Sequence, residues 1–402
     1  MTFLPSDQDT SGRSFGTEEV DLLTEVIESG RLFGPKGRFV KDLETGFAQW
    51  LGVAKAVASS SGTAAIHTAL AAIDPEPGDE VITTSITDIG GLTPILYQGA
   101  VPVFADVDSR TGNVAASTVE QRLSDRTRAI IVTHLFGNPA QVREICDLAA
   151  RHDVPVIEDC AQAFGATIGG EMVGGFGAMG TFSLQQGKHI TTGEGGLTAT
   201  NDLDLARTMR LFVNKAWDYD DPTDHDFLAL NYRMAELQGA VGLAQLARLD
   251  AGVERRRANA RSLDEHVAAI DGIEPVKVSS DAESSYWRYC LLVDVNAVPG
   301  GPDALAAKLK DLGVPSAPRY IKKPAYRTRV FEEQKTFGSS RWPFTLARAE
   351  AVDYSDDLFP GTLDFLRHVL VLPWNERMDE GHIERIAEAL ATGVASLGQE
   401  AA

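Results

Sequence analysis

Lys188 sits where a lysine can do chemistry. It follows a short strand-like run at residues 181–184 and precedes three closely spaced glycines, Gly193, Gly195 and Gly196. A lysine between a strand end and a glycine-rich loop has a fixed base and a short reach into a cleft. Such an amine can form a Schiff base once burial or a cationic neighbour lowers its pKa. Alone, a lysine beside glycines is an ordinary loop residue, so its meaning depends on other positions. Ser61-Gly62-Thr63 stands between a strand and an alanine-rich helix. There the backbone N–H groups and the Thr63 hydroxyl can hold a phosphate at a helix N-terminus. Asp159 ends an apolar run, where a buried acid is costly unless paired; it either faces a protonated ring nitrogen or caps a following helix. Gln162 faces the same cleft, and Ser183 completes the set. A phosphate, a pyridinium nitrogen and an aldehyde are what these residues answer, and pyridoxal 5′-phosphate (PLP) carries all three. For such a cofactor the protein supplies orientation and electronic tuning.

The elements that must position these residues alternate. Apolar runs at 56–58, 81–84, 102–106, 127–134, 155–159, 181–184 and 197–200 predict strands. Helical periodicity appears at 15–29, 40–50, 64–73, 89–96, 140–150 and 203–212. Strands that are continuously apolar and alternate with helices predict a mostly parallel α/β sheet covered on both faces, with function at the strands' carboxyl ends. An amphipathic pattern from 234 to 249, continuing to 270, predicts one bridging helix. Beyond it, strands at 286–293 and 369–372 and helices at 304–312 and 382–397 predict a smaller α+β module. The expected division is a large domain at 15–255 and a small C-terminal domain at 256–402, with residues 1–14 flexible. Residues 328–359, polar and rich in aromatics, are expected to form a substrate-facing loop.

The composition narrows the function classes. The 402 residues carry 37 Lys and Arg against 57 Asp and Glu, a net charge of −20. That field repels polyphosphate, so neither nucleic acid nor an anionic membrane is expected as a partner. No stretch approaches the ~18 apolar residues of a membrane span, and the N-terminus lacks a signal-peptide layout. The three cysteines, Cys146, Cys160 and Cys290, fit no disulfide or metal spacing and read as buried thiols of a cytoplasmic protein. The histidines fall at no ligand spacing either, so no metal is expected.

Several motifs carry a resemblance. Gly-Thr-Ala-Ala at 62–65, Glu-Asp-Cys-Ala-Gln at 158–162, Phe-Ser-Leu-Gln-Gln-Gly-Lys-His with Gly-Glu-Gly-Gly at 182–196, and Asn-Tyr-Arg-Met-Ala-Glu-Leu-Gln at 231–238 resemble the DegT/StrS-type sugar aminotransferases. The resemblance covers residues 15–390. It implies a fold-type-I PLP enzyme working as a homodimer with shared active sites. By position it implies that Lys188 binds the cofactor covalently, Asp159 pairs with its ring nitrogen, and Gln162 lies near its phenolic oxygen. Gly62, Thr63 and Ser183 would hold the phosphate, reached by Asn231 from the partner subunit; Arg233 either contacts substrate or braces the interface. The implied reaction is ping-pong transfer of an amino group from glutamate or glutamine to a keto-sugar, keto-cyclitol or related ketone. Two departures concern substrate. Asp88 replaces a ring-stacking aromatic, so either another group covers the cofactor or Asp88 contacts substrate. Residues 212–217 place Lys215 and Trp217 where many relatives have Asn-His-Gly. Tyr320 is a further substrate candidate. A dehydratase branch has histidine at the lysine position, which Lys188 argues against; a PLP-dependent lyase and a non-catalytic regulatory PLP-binding protein are the competing readings.

Overall fold

The computed structural model describes residues 4–401. A seven-stranded sheet runs in the order Lys55–Ser59, Gly196–Thr200, Met179–Ser183, Val156–Asp159, Thr127–Thr133, Glu80–Thr84 and Val101–Ala105. Its five central and outer strands from Met179–Ser183 onward are parallel, while Gly196–Thr200 pairs antiparallel with both neighbours. Every residue of Val156–Asp159 and of Met179–Ser183 is buried. Strands covered on both faces need apolar residues on both, which is why their sequences run apolar instead of alternating. Helix Gly62–Ile73 lies against this sheet and is buried on most sides, so alanine is what fits. It starts where Ser61 Oγ accepts the Ala64 N–H at 3.1 Å, and it stops at Asp74, whose φ is +54°.

A second sheet, Ile273–Pro275, Tyr289–Val293, Val369–Leu372 and Ala317–Pro318, is wholly antiparallel. One of its faces, with Tyr289, Leu291, Leu370 and Leu372, closes a local core under the C-terminal helix Glu380–Ala401. The other, with Cys290, Leu292, Val369 and Val371, joins the core of the large sheet.

The structure corrects five sequence expectations. The single helix expected over 234–270 is two, Glu236–Leu246 and Leu249–Val267. The first presses small residues against helix Phe39–Leu51 so closely that a Cβ on Gly239 would lie 2.6 Å from Val40 N, whereas the second packs on the C-terminal helix. One straight rod cannot serve both partners, so the chain turns at Ala247–Arg248. Residues 89–96 form a 3₁₀ turn, Ile89–Gly91, and a short helix, Thr93–Tyr97. The strand expected at 286–293 begins at Tyr289. Residues 328–359 fold into short helical turns around their own aromatics: Phe331, Phe344 and Phe359 pack with Tyr326 and with Phe104 of the large sheet. Finally, of residues 1–14, expected to be flexible, residues 1–3 lie outside the described residues, and residues 4–14 pack against the body of the protein. Pro5, Asp7, Gly12 and Arg13 are buried, because two of them carry charges that pair within the body of the protein. No described helix is long and apolar enough to cross a membrane.

Candidate active site

The carboxyl ends of three adjacent parallel strands converge. Thr133 and Asp159 are register partners, as are Asp159 and Thr181. Asp159 is 6% exposed. Its Oδ1 accepts the Ala161 N–H at 3.1 Å and its Oδ2 accepts the Thr133 hydroxyl at 3.3 Å. Burial pushes its pKa up, opposed by the Ala161 N–H and by the Lys188 charge. A carboxylate held ionised in such a place favours a nearby cation. Lys188, half-buried, supplies an amine whose pKa is pushed down to about 8 by burial, against the pull of Asp159 and Asp88. An amine poised near neutrality serves both as nucleophile and as proton carrier.

The Lys188 Nζ stands 4.5 Å from the ring centre of Trp287. Trp287 is held in turn by its Nε1–H, which donates to the Gly187 carbonyl at 2.6 Å. The Arg288 guanidinium lies 4.4 Å from the same indole ring, and the Tyr320 ring meets it edge-on at 5.9 Å. Gln162 bridges two loops: its Oε1 accepts the Phe136 N–H at 2.8 Å, and its Nε2 donates to the Tyr320 hydroxyl at 3.3 Å. Phe136 and Tyr320 both adopt positive φ, 61° and 50°. Such a backbone persists for bulky residues only where the surroundings impose it, which is common at functional sites. Burial pushes the Tyr320 hydroxyl pKa up to about 12, so it stays protonated.

At the next strand end, helix Gly62–Ile73 points its N-terminus at Ser183. A Cβ on Gly62 would fall 2.6 Å from Ser183 Cβ and 2.8 Å from its Oγ; only glycine lets the two backbones approach this closely. The first N–H groups of a helix have no partner within it, and here they adjoin the hydroxyls of Ser183 and Thr63. That is a cradle for a phosphate-like anion. Thr63 Oγ1 also packs on Gly90, whose added Cβ would meet it at 2.4 Å. Asp88 is exposed, and its Oδ1 caps the 3₁₀ turn by accepting the Gly90 N–H at 2.8 Å.

Asn231, Arg233 and Lys215 form a separate group. Asn231 and Asn214 make an antiparallel bridge, and Arg233 Nη1 donates to Asn214 Oδ1 at 2.9 Å. Lys215 is exposed, its carbonyl accepting from His225 at 2.6 Å. Asn214, Trp217 and Arg233 line a cleft of about 780 Å³ beside the edge strand Lys55–Ser59. Among the described residues, no hydrogen bond or ion pair links this group to Lys188.

His134, Glu158 and Cys160 come together in the core within metal-ligand range, but hydrogen bonds occupy the ligand atoms of His134 and Glu158, and burial raises the Cys160 thiol pKa, keeping it protonated. His134 Nδ1 accepts the Ala140 N–H at 3.0 Å, so its Nε2 carries the proton and donates to Glu158 at 3.1 Å. Glu158 also takes the N–H groups of Gly174, Phe176 and Gly177 at 2.7–2.8 Å. The cluster therefore staples the strand bearing Asp159. Sequence reasoning did not single out Thr133, Phe136, Trp287 or Arg288. Trp287-Arg288 sits at the head of an apolar run read as a strand from 286, so no sequence signal set this indole and cation apart; the structure starts the strand only at Tyr289.

Comparison with known proteins gives this geometry a context. The DegT/DnrJ/EryC1/StrS aminotransferase family matches residues 13–391. GDP-perosamine synthase of Caulobacter vibrioides is 38% identical over 319 residues, 79% of this chain and 85% of that protein. L-glutamine:2-deoxy-scyllo-inosose aminotransferase of Micromonospora echinospora is 38% identical over 286 residues, 67% of this chain and 68% of its own length. The X-ray structure of the aminotransferase from Psychrobacter cryohalolentis, 30% identical, superposes with a TM-score of 0.86 over 99% of this chain and 100% of its own. The chain belongs to the DegT/DnrJ/EryC1/StrS aminotransferase family, and its architecture is the fold-type-I one expected from its sequence.

Proposed function

We propose that this chain is a PLP-dependent aminotransferase moving an amino group from glutamate or glutamine to a keto-sugar, keto-cyclitol or related ketone. One observation carries the reading: a half-buried amine, a buried carboxylate and a helix-end anion cradle stand at the carboxyl ends of adjoining strands. Those are the three partners PLP requires, and the fit is tight, since a Cβ at Gly62 would fill the cradle. Thr63 and Ser183, with the first N–H groups of the helix, would hold the phosphate. Asp159 would face the ring nitrogen and Gln162 the phenolic oxygen. Bound PLP supplies the electron sink for bond breaking at the amine's α-carbon.

The chain's own residues do the rest. Asp159, kept from water by its burial, holds a proton on the nitrogen it faces, because an unpaired carboxylate there is unfavourable. Lys188, with its pKa near 8, takes up a proton at one carbon and returns it at another. Trp287 gives the amine a cation-binding face when it is charged. Tyr320, protonated and tied to Gln162, orients that amide. The donor assignment is supported by the glutamine in the name of the Micromonospora relative, and the acceptor class by a nucleotide-sugar and a cyclitol enzyme among the relatives.

The protein works as a homodimer in the cytoplasm. Asn231 and Arg233, apart from Lys188 in one chain, complete the partner's site. The exposed apolar side chains Val20, Ile27, Leu32, Phe33 and Leu228 support an interface on that side, and three free thiols suit a reducing compartment. Adding glutamate or glutamine to the PLP-loaded protein should abolish the cofactor's visible absorbance band. A ketone acceptor should then restore it with formation of an amine. Bleaching by no amino donor, from protein that has taken up PLP, refutes the transaminase reading.

A further inference from the structure

The segment before the first helix is built into the Lys188 loop. Arg13, 3% exposed, donates from Nε to its own strap at the Asp7 carbonyl, 2.9 Å away. Its Nη1 donates to the Lys188 carbonyl at 2.8 Å, and its Nη2 to the Gln186 carbonyl. Gln186 answers by donating its amide to the Asp7 carbonyl at 2.9 Å. The Asp7 carboxylate pairs with Arg288 at 2.8 Å and faces Arg256 and Arg13 at 3.8 and 4.0 Å. Arg256 is tied to Glu376 at 2.8 Å, and Asn375 donates to the Pro5 carbonyl at 2.8 Å. One guanidinium thus grips the backbone on both sides of Gly187, the residue whose carbonyl holds Trp287. The carboxylate beside it holds Arg288, which lies on the same indole ring as Lys188.

We propose that residues 4–14 are a strap that positions the Lys188 loop, with Arg13 the positioning residue that fixes the lysine's backbone and Asp7 the one that fixes Arg288. Its link to catalysis rests on the role given to Lys188 above. A buried guanidinium with its donors spent on main-chain carbonyls is costly to lose, since its removal leaves those carbonyls unsatisfied. The charged groups that act on the amine are Asp159, Asp88 and Arg288. Of these, Arg288 is held by the strap directly. With the strap loosened, the loop opens to water, and the burial that lowers the amine's pKa is relieved.

The test uses the full chain freed of cofactor, so that it stands apart from the PLP reading, which borohydride mapping of wild-type protein decides separately. Arg13→Gln, Arg13→Lys, Asp7→Asn and a control, Arg348→Gln, are compared. Arg348 pairs with buried Glu80 at the opposite end of the sheet. Two readouts are followed by mass spectrometry: hydrogen exchange over residues 184–190, and the pH midpoint for labelling of Lys188 by an amine-acylating reagent. Arg13→Gln should raise exchange in this loop about tenfold or more and move the labelling midpoint upward from near 8. Arg13→Lys should restore part of both, and Asp7→Asn should move the midpoint with a smaller change in exchange. Arg348→Gln should change neither, even where it lowers the melting temperature as much. Unchanged exchange and midpoint in folded Arg13→Gln overturns the proposal, as does an equal change in the control. Should Arg13→Gln not fold, wild-type values in both Arg13→Lys and Asp7→Asn overturn it instead.

Discussion

Gly62→Ala tests the anion cradle most sharply, because the structure fixes what the added methyl meets. The new Cβ would lie 2.6 Å from Ser183 Cβ and 3.3 Å from Ser183 Cα. Carbon atoms rest at ~3.5–4.0 Å, so helix and strand end must part by about 1 Å. Neither side yields cheaply: Ser183 ends a strand buried at every position, and the helix start is capped by Ser61. Overpacking of this kind costs about 1–3 kcal/mol, and any gain from alanine's helix propensity, at most ~1 kcal/mol, does not reverse it. Urea unfolding of the cofactor-free protein should therefore show a lower midpoint, and PLP affinity should fall at least tenfold as hydroxyl and N–H groups separate. Ser183→Ala cannot relieve the clash, since the colliding atom is the Cβ. Ser183→Gly can, so Gly62→Ala/Ser183→Gly should be more stable than the sum of the single changes predicts, by about 1–3 kcal/mol of coupling. Additive effects in that cycle, or Gly62→Ala with wild-type stability and PLP affinity, refute the reasoning.

Lys188→Ala should bind PLP without a covalent bond and lose amino transfer by a factor of at least ~10²–10⁴; borohydride reduction of the wild type should fix the cofactor to Lys188, and a label mapped to another lysine rejects the assignment. Asp159→Asn should fold normally and lose nearly all activity. Because burial raises this acid's pKa in the folded state, its ionisation opposes folding. Denaturation of the cofactor-free proteins should thus show the Asn variant gaining on the wild type as pH rises through the carboxylate range, with a pH-independent difference as the contrary result. In the cofactor-free protein, acylation of Lys188 followed against pH should titrate near 8; a midpoint at the ordinary lysine value near 10.5 would contradict the burial argument.

Much of this site is legible in the chain because its parts are local. A strand that must be apolar on both faces announces itself, and so does the residue ending it, which is how Asp159, Ser183 and the turn at Gly62 stand out. Lys188 is marked by the glycines that follow it, and the motifs around it are specific enough to imply the family. What the sequence could not show are relations between distant segments. Trp287 reads as part of a strand, yet it turns its indole to Lys188 because Gly187 offers a carbonyl 2.6 Å away. Arg13, 175 residues from Lys188, reads as part of a loose end because a polar stretch has no periodicity. Its burial depends on the Gln186 and Lys188 carbonyls of a distant loop together with the Asp7 carbonyl and carboxylate of its own strap. The separation of Asn231, Arg233 and Lys215 from the amine likewise emerges only once the chain is folded. Local spacing, set by strand and helix periods, decides which residues end the strands; the pairing of buried charges across the fold decides which of them meet, since that energy exists only when water has been excluded from both partners at once.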